Sequence, residues 1–132
     1  MPNVNFSSPA IIELHNCWKA YGKVQALRAI NLKIPAEKTM VLIGPSGCGK
    51  STLLRLMIGL VRADQGEVCF QGTEIHLQDL LELRQQLGYV IQSGGLFPHL
   101  TARQNVNLMA RYLQWGKRQL EERVLELAEL TH

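Results

Sequence analysis

Gly44-Pro45-Ser46-Gly47-Cys48-Gly49-Lys50-Ser51-Thr52 decides how the rest of the chain is read. It matches G-x-x-x-x-G-K-[ST], the phosphate-binding loop. Glycines at 44, 47 and 49 keep side chains out of the way. Consecutive backbone N–H groups can then turn inward as an anion nest. Those donors sit at the start of a helix, where the dipole also favours negative charge. Lys50 would reach the β and γ phosphates of a nucleoside triphosphate. Ser51 would ligate a Mg2+ ion that bridges phosphate oxygens. Thr52 would bond on the α-phosphate side. Cys48 fills a variable slot as a small spacer, although its place near Lys50 and a helix start could lower its pKa.

The flanks supply the context this motif needs. Met40 to Ile43 is a short apolar run and reads as a buried central strand. Lys50 to Ile58 carries Leu53, Leu54, Leu56, Met57 and Ile58, so it reads as a helix buried almost all round, stopped by Gly59. Upstream, residues 11–17 and 28–34 alternate as strands around a turn at Tyr21-Gly22-Lys23, the second ended by Pro35. Downstream, 67–71 reads as a strand between Gly66 and Gly72. Leu77 to Leu87 reads as a helix with Leu80, Leu83 and Leu87 on one face, stopped by Gly88. Tyr89 to Ile91 reads as another strand.

The pattern changes after Gly94-Gly95. Thr101 and Gln104 form a T-x-x-Q capping box. Val106, Met109 and Leu113 then recur at helical spacing, Gly116 breaks the run, and Leu120, Val124 and Leu127 recur in a second helix. The expected architecture is α/β: a tail at 1–10, a core at 11–94, and a helical part over 95–132.

Composition narrows the classes. The chain has 132 residues, 46% of them hydrophobic, which suits one globular domain. A formal charge of +3 is too small to argue for nucleic acid. Cys17, Cys48 and Cys69 form no C-x-x-C pair and read as reduced thiols of a cytosolic protein. No apolar run is long enough for a bilayer span, and Met1 to Ser8 do not look like a secretory leader.

The surroundings of the loop resemble the ABC-transporter ATPases. Ile43 to Leu60, IGPSGCGKSTLLRLMIGL, is similar to the Walker A region of that family. Leu83 to Gln92 looks like its strand entering the Q-loop, and Leu96-Phe97-Pro98-His99-Leu100-Thr101 matches its L-F-P-x-L-T segment. Tyr21 lies where the family has an aromatic A-loop residue. The resemblance runs from about Ile11 onward. It implies a P-loop NTPase core of the ABC-ATPase type, incomplete, with an N-terminal β-subdomain and the start of a helical subdomain. It implies ATP and Mg2+ as ligands. Tyr21 would stack on adenine; otherwise it is a turn tyrosine shielding a strand edge. Gln92 would touch Mg2+ and the attacking water; otherwise it is a polar residue at a strand end.

Resemblance also implies partners. Residues 93–101 would line the groove for a transmembrane permease, with Phe97 and Leu100 facing either that groove or the core. Two such subunits would sandwich ATP, and a separate solute-binding protein would act through the permease. The complex would hold the subunit on the cytoplasmic face of the membrane. The wording from Tyr89 to Leu100 is nearest to quaternary-amine importers such as those for glycine betaine, with polar amino-acid importers close behind. Ala63 stands where many relatives have proline, and Gln104 where many have glutamate.

Other family elements are missing from these residues. The two aspartates, Asp64 and Asp79, do not end apolar strands, so neither fits Walker B. Ser93-Gly94-Gly95 imitates the middle of L-S-G-G-Q but follows Gln92 directly, so it reads as flexible Q-loop glycines. His132 follows no strand and does not fit the switch histidine. The expectation is an energy-coupling subunit cut short, with no useful ATPase activity from this chain alone. The alternatives are a regulatory module or remnant that binds nucleotide without turnover, or a small-molecule kinase using Arg103, Arg111, Arg118 and Arg123 as a lid.

Overall fold

The computed structural model describes residues 9–76, 78–92 and 94–131. Two compact units divide the chain, one up to Gly88 and one from Tyr89 onward. The first unit contains strands β1 (Ala10–Tyr21) and β2 (Val24–Pro35), helix α1 (Lys50–Met57), strands β3 (Gln65–Phe70) and β4 (Thr73–Glu74), and helix α2 (Leu80–Gln85).

The strands form one antiparallel sheet in the order β2-β1-β3-β4. β1 and β2 make a hairpin with Tyr21 opposite Val24 across a two-residue turn. Both strands outrun the expected 11–17 and 28–34, because the hairpin keeps pairing through irregular register down to its turn. Glu13 faces Lys33 directly across the pair, and their charges meet at 2.7 Å. The core forms where this sheet meets α1. Leu14, Cys17 and Leu27 from the sheet join Leu53, Leu56 and Met57 from the helix.

Four expectations need correction here. α1 is not buried all round: Leu53, Leu56 and Met57 are buried while Leu54 is exposed, because the core lies on one side of the helix. Met40 to Ile43 is not a strand. A central strand needs neighbours on both sides, and among the described residues none pairs with this segment. Leu42 still packs against the core, but Val41 is 71% exposed and Ile43 91%. Tyr89 to Ile91 is unpaired and exposed for the same reason. The helix expected over 77–87 is confined to α2, with Leu83 buried, and Leu77 lies outside the described residues.

The second unit holds α3 (Ala102–Val106), α4 (Leu108–Tyr112) and α5 (Lys117–Thr131). The capping box is present with both bonds: Gln104 N–H donates to Thr101 Oγ1 at 3.2 Å, and Thr101 N–H donates to Gln104 Oε1 at 2.8 Å. The single helix expected after it is interrupted at Asn107, whose side chain is buried. Val106 and Met109 are exposed, so their helical spacing marks a face that nothing in this unit covers.

Candidate functional site

The phosphate loop joins the 40–43 segment to α1. Glycine is required at its end. Gly49 has φ +98°, and a Cβ there would lie 2.5 Å from the Ala26 carbonyl oxygen of β2. The loop therefore sits directly on the hairpin, against the Ala26 backbone and the Leu27 side chain. Gly47 has φ +80° and open space where a Cβ would stand. The loop thus carries no side chain at Gly47 and is open to solvent there.

Its donors are placed for an anion. Leu53 N–H bonds to the Gly49 carbonyl at 2.8 Å and closes the first turn of α1. The N–H groups of Lys50, Ser51 and Thr52 precede that bond and have no acceptor among the described residues. Lys50 Nζ folds back over the loop. It donates to the carbonyls of Gly44 and Pro45, both at 2.7 Å, and lies 3.5 Å from Cys48 Sγ. Two loop carbonyls thus already hold the ammonium at the loop. The donor set fits a phosphate chain: free N–H groups, one ammonium, and the exposed hydroxyl of Ser51 for a hydrated Mg2+. Pro45, Ser46 and Cys48 are exposed along the same turn, and Thr52 is half-buried.

Tyr21 belongs to the same unit. It ends β1 opposite Val24, two residues before the Ala26 that seats Gly49. The residue is 46% exposed. A brace that sequence reading did not find holds this corner. Lys19 Nζ lies 5.6 Å from the Tyr21 ring centroid and bonds to Asp64 Oδ1 at 2.7 Å. Asp64 Oδ2 accepts the Ala20 N–H at 2.7 Å, and Asp64 N–H returns to the Trp18 carbonyl at 2.8 Å. The Lys19 hydrogen bond, then that of Ala20, holds the Asp64 carboxyl below the usual carboxylate range. Nothing in the sequence links residues 45 positions apart, so no pattern could have revealed this brace.

Asp79 is also committed: one of its oxygens accepts the His76 N–H at 3.3 Å, just before α2. Both aspartates therefore serve structure. Gln92 lies in the second unit and is exposed. Of the 93–101 segment, Ser93 lies outside the described residues, while Gly94 and Gly95 take the left-handed φ of +77° and +92°. Arg118 and Arg123 pair with Glu122 and Glu126 along α5, a solvated helix face rather than a catalytic lid.

Comparison with known proteins now decides the family. The model of the ABC transporter family matches residues 27–132. The chain belongs to the ABC transporter family. It is 41% identical over 122 residues to the choline transport ATP-binding protein OpuBA of Bacillus subtilis, covering 92% of this chain and 32% of that protein. It is 40% identical over 120 residues to the glycine betaine uptake system ATP-binding protein YehX of Escherichia coli, covering 91% of this chain and 39% of that protein. Among solved structures, the dimeric bacterial ABC transporter cassette MJ0796 superposes with a TM-score of 0.79 at 32% identity, over 87% of this chain and 54% of that one. The chain thus spans about a third of the length of these curated relatives and about half of that cassette. Its fold is the N-terminal part of a P-loop ABC domain, with the β1–β4 sheet as the β-subdomain. Family membership sets the kinase reading aside. Among the described residues, no helix is long and apolar enough to cross a membrane.

Proposed function

We propose that Gly44–Thr52 binds the triphosphate of ATP, as part of the ATP-binding subunit of an importer for quaternary amines such as choline, glycine betaine and carnitine. The observation that carries this reading is the loop at the start of α1, open at Gly47, with Lys50 held across it and free N–H groups at the helix start. The relatives' roles in choline, carnitine and glycine betaine transport support the solute class. Tyr21 stacks on the adenine. Ser51 and Gln92 meet the Mg2+ ion, and Gln92 also meets the attacking water. In the complete protein, two subunits pair around ATP, and residues 93–101 dock on a permease that holds them at the cytoplasmic face of the membrane. A solute-binding protein acts through that permease.

Titration with a fluorescent ATP analogue and Mg2+ tests the site. Lys50→Ala should weaken binding at least about tenfold, because it removes the charge-assisted contacts to phosphate. Equal affinity in the variant would overturn the assignment. Circular dichroism of both proteins separates this from loss of fold.

A second reading, binding without turnover, is favoured by one observation. Asp64 and Asp79 both accept structural hydrogen bonds, and each precedes its element, β3 or α2, rather than ending an apolar strand as a Walker B aspartate would. General-base assistance contributes about 10²–10⁴ in rate. The 132-residue chain alone should bind ATP and show no steady-state phosphate release above background. Turnover at rates usual for transport ATPases, measured on the purified chain, would refute this.

A further inference from the structure

Residues 96–100 form an apolar tip held from beneath by one side chain. Asn105, on α3, accepts the Phe97 N–H at Oδ1, 2.7 Å away. Its Nδ2 donates to the carbonyls of Phe97, Leu100 and Thr101, each at 3.1 Å. Two N–H bonds reach three oxygens, so one hydrogen is shared. Leu100 N–H closes the turn onto the Phe97 carbonyl at 3.0 Å. The turn needs only that last bond to exist. Asn105 adds a grip on both backbone groups of Phe97, which fixes the orientation of that residue as a strand neighbour would.

This polar grip lies under side chains that face water. Leu96 is 75% exposed and Phe97 47%. The His99 ring meets the edge of Phe97, with centroids 5.9 Å apart at 69°. An exposed aromatic normally gains nothing for the fold from being held still. It gains for association, because a preset contact loses less freedom on docking.

We propose that Asn105 is a positioning residue that presets the Leu96–Leu100 tip for docking on the permease. This rests on the reading that residues 93–101 are the docking segment. The chemistry implies a specific intolerance. Asn105→Asp keeps the size and the acceptor for Phe97 N–H, but turns a carboxylate towards three carbonyl oxygens.

The test uses the ATP-binding subunit with its permease, in detergent. Hydrogen exchange is read at Phe97 and Leu100, and permease capture is read by co-purification. Asn105→Ala should speed exchange at both amides, and Asn105→Asp at Leu100, at least about tenfold, and both should lower capture, while ATP binding stays unchanged. Wild-type exchange in both variants, or fast exchange with undiminished capture, overturns the proposal. Phe97→Ala tests the underlying reading. It leaves the Asn105 bonds to backbone intact, so it should lower capture with exchange still slow. Undiminished capture in Phe97→Ala sinks the docking reading itself, and the proposal with it.

Discussion

Gly49 shows how much one residue can decide. Its φ of +98° and the Ala26 oxygen 2.5 Å from any added Cβ leave no room for a side chain. Gly49→Ala combines a left-handed backbone with a clash against backbone, and should cost about 2 kcal/mol or more in urea unfolding. Asp64 is a second decisive residue, through charge. Its pKa is lowered on folding, chiefly by Lys19. A lowered folded value stabilises the protein above the unfolded value of about 3.9, and that share is lost as pH falls through the folded value. Asp64→Asn should therefore flatten the acid limb of the stability profile below about pH 4 while leaving its alkaline side unchanged in shape. Cys17 shifts the opposite way. Burial raises its pKa, and its thiol contacts the Glu67 carbonyl at 3.1 Å, so it should resist alkylation at neutral pH while exposed Cys48 reacts.

Elements were legible where their information is local. The capping box at Thr101 and Gln104 could be read directly, since it depends on residues three apart. Thr101→Ala should cost about 1 kcal/mol of helix stability, seen as faster exchange in α3. The hairpin was legible in part, through alternation and a glycine turn, but its ends depended on pairing. The 40–43 strand failed as an expectation because an apolar run says only that a segment could be buried. Burial needs neighbours, and the described residues supply none. The helix over Val106, Met109 and Leu113 taught the same lesson: its period was right, yet the helix breaks at Asn107 and its apolar positions stay wet.

At the scale of the molecule, buried apolar contact is concentrated in the first unit. Its sheet and α1 share one core, whereas Asn107 is the one buried side chain among the described residues of the second unit. Backbone amides of β1, β2 and α1 should therefore exchange far more slowly than those of α3 to α5 in a single hydrogen-exchange run. The sequence by itself determined the phosphate loop, its glycines, its lysine and the family, because each depends on residue types at short fixed spacing. It also determined the antiparallel hairpin and the helix cap. Only the tertiary structure decided the seat of Gly49 on β2, the Lys19–Asp64 brace beside Tyr21 and the Asn105 grip on Phe97. These are contacts of particular atoms, made once the backbone is in place. A hydrogen bond across 45 residues leaves no periodic mark in the chain that forms it.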